Sequence, residues 1–364
     1  MFLFLIIAIG YLIGRIRIKG ISLGMSAILI VALFFGHYGF SVPGLIKNLG
    51  LACFATAVGY ITGPVFLKNF KNKALYYVFL GFIIIFISAL LCIASVKIFH
   101  LPSALGLGLF SGAVTSTPGL AMALELTGDS LVSVGYGIAY PFGVVGLVLT
   151  VQILSKFREK PEIKETVSQS TVQQAELNNL ISIDKNGMFF YSIALVIGIA
   201  IGSQSLKLSD GTTFGLGISG GTLLSGLFFG SLSHIGPLST KASKGLLDTM
   251  REFGLALFLA AAGLEAGSGF VSTIKEYGFV LFFIGLFMTL FPSIFTFLLA
   301  NKVLHLDVRS SLGAICGGMT STPALGSLSD IEEYEKVTTG YAATYAVALL
   351  SIILMIQMIN FLLN

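Results

Sequence analysis

Gly112-Ala-Val-Thr-Ser-Thr-Pro-Gly-Leu120 returns as Gly317-Gly-Met-Thr-Ser-Thr-Pro-Ala-Leu325, in a chain that is otherwise almost continuously apolar. Each copy holds the same tetrad, Thr115-Ser116-Thr117-Pro118 and Thr320-Ser321-Thr322-Pro323. Each follows a glycine-spaced run, Gly108 and Gly112 in one half and Gly313, Gly317 and Gly318 in the other. Lipid offers no hydrogen-bond partners, so irregular backbone at membrane depth persists only where it lines a cavity or is buried in protein. Two such elements in membrane-type sequence predict an internal duplication, with a solute site where the copies meet.

The composition agrees. Of 364 residues, 55% are hydrophobic and 10% charged, with a mean hydropathy of +0.94; a globular domain carries roughly 25% charged residues. This predicts an all-α polytopic membrane protein with membrane lipid as its surroundings. The net charge of +4 is no nucleic-acid signal, because the basic residues fall in short loops between apolar stretches. Cys53, Cys92 and Cys316 lie inside apolar segments and read as packing residues. His37, His100, His234 and His305 fall at segment ends. No Cys/His spacing suggests a metal, and no cofactor is expected.

The apolar start, Met1 to Gly14, has its charges (Arg15, Arg17, Lys19) after the apolar run. That order predicts a retained anchor with its N-terminus outside rather than a cleaved leader. Its Gly10/Gly14 step is echoed by Gly198/Gly202. The duplication extends further, in constant order. Phe34-Phe35-Gly36 matches Phe228-Phe229-Gly230, and Gly50 to Gly59 matches Gly254 to Gly263. Leu101 matches Leu306, Gly135-Tyr136 matches Gly340-Tyr341, and Tyr140 matches Tyr345. We therefore expect a first membrane repeat over 1–154, a polar cytoplasmic linker over 155–186 and a second repeat over 187–364.

Apolar segments fall near 2–14, 21–37, 49–67, 75–99 and 132–154, with 103–126 interrupted. Their counterparts are 187–204, 213–233, 252–270, 277–301 and 338–362, with 309–328 interrupted. Lys and Arg concentrate in cytoplasmic loops. If every segment crosses, the 21 basic residues divide almost evenly between the two sides. If the Thr-Ser-Thr-Pro stretches are re-entrant, Lys47, Lys97, Lys207 and Lys275 fall outside and all the others inside. The biased model has five spans per half. An odd number inverts the second repeat relative to the first, so one tip enters from outside and the other from the cytoplasm.

A Ser or Thr before proline is a natural N-cap, and proline suits the first helical turn. Thr117-Pro118 and Thr322-Pro323 therefore read as the starts of half-helices. Their free N–H groups and positive dipole ends suit an anion such as a carboxylate. The expected binding set is Thr115, Ser116, Thr117, Pro118, Gly112, Thr320, Ser321, Thr322, Pro323, Gly317 and Gly318. Around it, Glu265, Thr56, Tyr140 and Tyr345 are candidates for coupling or cavity lining. Glu265 has an apolar counterpart, Ile61, which raises cation or proton coupling; an interfacial position explains it equally well. Glu125, Asp129 and the acidic run Asp330, Glu332, Glu333 and Glu335 are read as solvated loop residues.

The paired Gly-x-x-Thr-x-Thr-Pro-x-Leu, together with Gly254-Leu-Ala-Leu-Phe-Leu-Ala-Ala-Ala-Gly-Leu-Glu-Ala-Gly267, resembles the aspartate:alanine exchanger family of bacterial carriers. The resemblance covers both membrane halves. It implies an inner-membrane antiporter for small anionic amino acids or dicarboxylates, forming homodimers and moving in an elevator-like way. Larger members carry cytoplasmic regulatory domains between the halves, where this chain has only the linker. A carboxylate symporter coupled to Na+ or H+ is the alternative, and an anion channel a weaker one. An intramembrane enzyme would need a nucleophile with a base in reach, and no His or Lys is placed beside Ser116 or Ser321.

Overall fold

The computed structural model describes residues 2–16, 24–68, 74–156, 181–207, 213–328 and 333–363. Most of the expected linker lies outside the described residues, as do Asp330 and Glu332. The protein is all-α apart from two short hairpins. The first half runs α1 (Phe2–Gly14), α2 (Ala27–His37), α3 (Gly44–Lys68), α4 (Ala74–Phe99), α5 (Ser103–Ala113), α6 (Thr117–Thr127) and α7 (Leu131–Leu154). The second follows the same order: α8 (Met188–Gly202), α9 (Gly217–Ser231), α10 (Lys244–Tyr277), α11 (Val280–Leu298), α12 (Val308–Gly318), α13 (Thr322–Gly326) and α14 (Tyr334–Leu363). Seven helices recur in register, and the interrupted stretches become the broken pairs α5/α6 and α12/α13.

Among the described residues, five helices are long and apolar enough to cross a membrane: α3, α4, α7, α11 with its π-helical extension to Val303, and α14. A sixth, α10, bends by 63° between Gly267 and Gly269. All six fall into equivalent pairs across the halves. The other four expected spans are shorter: α1 has 13 residues, α2 11, and α8 and α9 15 each. A span needs about 20 residues. For α9 the helix begins late, at Gly217, whose φ is 64°, after Thr213–Gly215 have paired as a strand; residues 17–23, before Gly24 and α2, lie outside the described residues. Outward faces are apolar, as in the stripe Phe283, Phe287, Phe291 and Phe295 along α11. Lipid accepts such a stripe; water would not.

Glycines decide how the halves fit. Gly50 lies against Gly254 and Phe258, and Gly254 against Gly50 and Phe54. The equivalent helices α3 and α10 thus cross at a reciprocal contact, with each glycine admitting the other's backbone. Around this crossing, α2 packs on α10 through Gly263 and Gly267, and α9 packs on α3 through Gly59 and Gly63. The Gly10/Gly14 and Gly198/Gly202 steps seat α1 on α2 and α8 on α9. A second bundle holds α4 to α7 with α11 to α14, where α4 packs on α14 and α11 on α7. The halves are therefore interlocked, each bundle drawing helices from both.

Two details were absent from the sequence reading. The stretch 213–215 opens as strand β2 (Thr213–Gly215) paired with β1 (Ser205–Lys207), and a second hairpin joins β3 (His234–Ile235) to β4 (Leu238–Ser239). The end of the linker is docked rather than free: the Ile181 N–H donates to Pro237 O at 2.8 Å, and the Ser239 N–H to Ile181 O at 3.0 Å. The exposed Asp184 carboxylate then accepts N–H bonds from Phe189 and Met188, which cap α8 and hold it below the usual carboxylate range.

Candidate functional site

The two tips meet, and they do so reciprocally. Thr115 Oγ1 donates to Met319 O at 2.7 Å, and Thr320 Oγ1 donates to Val114 O at 2.9 Å. Both threonines hold a left-handed backbone, with φ of 53° and 50°. For a β-branched residue this conformation costs on the order of 1–3 kcal/mol, and persists only where surroundings impose it. Here each turn brings a hydroxyl onto the other tip's carbonyl. The clasp is buried, with Val114, Ser116, Met319 and Ser321 fully enclosed. Thr115 and Thr320 are in the expected place, but their hydroxyls join tip to tip.

The cap falls one residue earlier than the sequence suggests. Ser116 Oγ accepts from the Gly119 N–H at 3.1 Å, and Ser321 Oγ from the Ala324 N–H at 3.3 Å. Thr117 and Thr322 are therefore the first helical residues, and the prolines follow them. With Pro118 lacking an N–H and Gly119 engaged by the cap, the first turn of α6 offers few donors to an anion. α13 is only five residues long, so its dipole is short as well.

The hydroxyls of Thr117 and Thr322 each face a tyrosine hydroxyl. Thr117 Oγ1 lies 3.3 Å from Tyr136 Oη, and Thr322 Oγ1 lies 3.4 Å from Tyr341 Oη. These are long for O–H···O bonds, which centre near 2.7–2.8 Å. Tyr136 stacks on Tyr140 at 5.1 Å between ring centroids, and Tyr341 on Tyr345 at 5.3 Å. Each half thus builds one Thr-Tyr-Tyr constellation. Sequence reasoning singled out Tyr140 and Tyr345 but not Tyr136 and Tyr341, which touch the threonines. The signal was available in the Gly-Tyr-x-x-x-Tyr repeat, whose spacing stacks both rings on one helix face.

The twins differ in access. Tyr136 is fully buried and Thr117 half-buried, whereas Thr322 is exposed and Tyr341 and Tyr345 are half-buried. The Arg251 guanidinium, on α10 of the other bundle, lies within electrostatic range of Tyr345 and Tyr341. It also pairs with Asp248 at 3.3 Å. Arg251 is another residue that sequence reasoning missed. It occupies the register of Lys47, three residues before the glycine in Gly50-Leu-Ala and Gly254-Leu-Ala.

The remaining candidates stand apart from the tips. At Gly112 an added Cβ would stand 2.8 Å from Tyr136 O, and at Gly317 it would stand closer still to Tyr341 O. Gly318 packs on Ile84 of α4. These glycines let the ascending arms lie flush on α7, α14 and α4. Thr56 is buried, donates to Ala52 O at 2.8 Å, and faces Gly226 at the α3–α9 crossing. Glu265 pairs with Lys47, and its side chain is 46% exposed. An ion pair this open contributes about 0–1 kcal/mol. Glu125, expected in a solvated loop, is instead half-buried and bonded to the start of α9.

A family model described as a predicted permease membrane region matches residues 2–156 and 190–361, nearly all of both halves. The chain belongs to the aspartate:alanine exchanger family. An uncharacterized transporter of Bacteroides thetaiotaomicron is 25% identical over 98% of this chain and 97% of its own length. One of Desulfotalea psychrophila is 26% identical, over 99% and 96%. One of Geobacter sulfurreducens reaches 36%, over 42% of this chain and 31% of its own. The alignment to the Bacteroides protein runs to 516 positions, against 364 residues here. The relative thus carries upwards of 150 residues that this chain lacks, and the family match breaks at 157–189, across the linker. The protein is a multi-pass membrane transporter.

Proposed function

We propose that this family member is a secondary carrier exchanging small carboxylate-bearing solutes, such as aspartate, alanine or dicarboxylates, across the bacterial cytoplasmic membrane. The observation that carries the reading is the unequal access of two equivalent constellations: Thr322 is exposed while Thr117, its counterpart, is not. A protein with two pseudo-equivalent half-sites, one open and one closed, has the elements of alternating access. The solute would sit at Thr322 and Tyr341, whose long hydroxyl contact leaves both groups able to turn to a carboxylate. Arg251 would supply the charge complement that the short α13 dipole does not.

The clasp bears on how the site would move. Because each tip holds the other, both tips and their tyrosine helices α7 and α14 would travel as one body against the α3/α10 crossing. That favours elevator-like motion over independent opening of two hairpins. The reciprocal Gly50–Gly254 contact between the equivalent helices α3 and α10 fits inverted repeats, and the one-sided distribution of Lys and Arg is the ground for ten crossings and an outside N-terminus. Cysteines introduced singly at 103 and 128, which flank the first broken pair, are then expected to label from the same face. Labelling from opposite faces removes the re-entrant model. The homodimer implied by the resemblance is retained as part of this proposal. Glu265, paired with Lys47 at an exposed edge, is assigned to interfacial ion pairing rather than coupling.

The decisive experiment is uptake of labelled aspartate into liposomes containing the purified protein, with and without aspartate or alanine inside. We expect uptake only with internal substrate. Thr322→Val and Arg251→Gln should each raise the half-saturation concentration about tenfold or more, since a lost bond to a charged group weakens binding by roughly 1.5–3 kcal/mol. Uptake into empty liposomes driven by a Na+ or H+ gradient would instead establish symport, and non-saturating flux a channel.

A further inference from the structure

The half-helix α6 carries a residue that reaches out of its own bundle. Glu125 lies two turns beyond Thr117 and faces the start of α9 in the other bundle. Its carboxylate accepts the Ile218 N–H, the Ser219 N–H at 3.0 Å and the Ser219 hydroxyl at 2.8 Å. Ser219 is buried, and its hydroxyl also lies 3.7 Å from Met122 Sδ, one turn back on α6. At Gly217 an added Cβ would stand 2.5 Å from Glu125 Oε2, so the glycine is what lets the carboxylate approach.

Helix α9 has no cap of its own. Its N-cap residue is Leu216, whose side chain accepts no hydrogen bond. The first-turn N–H groups of a helix need an acceptor, normally a local Ser, Thr, Asp or Asn. A local cap stays with its helix whatever the rest of the protein does. Here the acceptor comes from another bundle, and as a carboxylate at a helix N-terminus it is the strongest kind of cap. Such a cap exists only while the two bundles are docked.

We infer that Glu125 is the positioning residue that seats the site-bearing bundle on α9 in the arrangement seen here, and that its bonds to residues 218 and 219 break when that bundle moves. This rests on the alternating-access reading above. The consequence is a bias: the cap stabilises one state and not the other, so its loss shifts the population toward the other state. In the arrangement described, Thr322 is the exposed half-site. Removing the cap therefore lowers the time Thr322 spends exposed.

The test needs no knowledge of the substrate. A Thr322→Cys reporter is placed in a Cys53→Ser background, Cys92 and Cys316 being fully buried. It is labelled with an impermeant maleimide present on both sides of phosphatidylethanolamine–phosphatidylglycerol liposomes. Glu125→Gln keeps the shape but replaces one acceptor oxygen with a donor. It is expected to slow labelling about threefold or more, with Glu125→Asp restoring part of the rate. If Glu125→Gln fails to reach the membrane, Ser219→Ala removes one of the three donors and should slow labelling in the same direction, by less. An unchanged rate in a folded Glu125→Gln or Ser219→Ala protein overturns the inference. Exchange is measured separately with Thr322 intact. Slowed labelling without exchange in the parent protein would keep the docking contact and remove the carrier reading, while normal exchange with unchanged labelling would do the reverse.

Discussion

Gly313→Ala is expected to be markedly less stable than the parent, although alanine is the better helix former. On an open helix surface the exchange gains up to about 1 kcal/mol from propensity alone. At Gly313 an added methyl group would overlap the backbone carbonyl of Val337 on α14, and at Gly108 that of Val132 on α7. Overpacking a well-filled interface costs typically 1–3 kcal/mol, and a backbone oxygen cannot rotate away as a side chain can. The net sign is therefore negative at both positions. Gly245→Ala is the control, because a methyl group there meets nothing within 4 Å. Thermal unfolding of the detergent-purified proteins should rank Gly245→Ala at or above the parent, with Gly313→Ala and Gly108→Ala well below. Equal stability of Gly313→Ala and Gly245→Ala would mean that the arms do not lie flush on α14 and α7. In that case the Thr322–Tyr341 distance, which depends on the same contact, would lose its basis.

The difference between these glycines was partly legible in the sequence. Gly108, Gly112, Gly313 and Gly317 repeat at a spacing of four, and that spacing places them on one helix face as a seam for close packing. The broken helices and their order were legible for the same reason: proline after Ser/Thr and glycine-spaced arms act locally, and the duplication supplies each signal twice. What sequence reasoning missed depends on contacts between distant segments. Glu125 sits in Ala-Leu-Glu-Leu-Thr-Gly-Asp, a composition that reads as the frayed end of a helix. Only the approach of Gly217 from the other bundle makes it a cap. The start of α9 was placed too early because apolar residues continue through Leu216, whereas Thr213–Gly215 pair as a strand and Gly217 takes positive φ. The charge near the site was overlooked because Arg251 stands with Asp248 and Glu252 at the start of a long helix. Its alignment with Lys47 sets it apart from an ordinary surface cation. Ser116 rather than Thr117 became the cap because proline is accepted equally well at either of the first two helical positions, neither of which has an intrahelical N–H bond to lose.

The clasp between the tips makes the second large prediction, and a graded series separates its two physical components. Thr320 combines a hydroxyl bond to Val114 O with a strained backbone at φ 50°. Thr320→Ser keeps the donor and removes β-branching, so it should be as stable as the parent or slightly more so. Thr320→Gly loses the bond but adopts positive φ without cost. It leaves the buried Val114 carbonyl without that donor, a penalty of about 1–3 kcal/mol, offset in part by the released strain. Thr320→Val loses the bond and keeps the branching, and should be the least stable of the three. The same order is expected at Thr115, whose hydroxyl bonds to Met319 O. Because the two bonds close one small ring of contacts, the double Thr115→Val, Thr320→Val variant should cost less than the sum of the single losses: once one bond is gone the tips can separate and rehydrate. Unfolding measurements on the four corners of that cycle give the coupling directly. A coupling of zero would mean that the tips are held apart by their own helices rather than by each other. They would then be free to move separately, and a single rigid body carrying both half-sites would no longer follow from the contact between them.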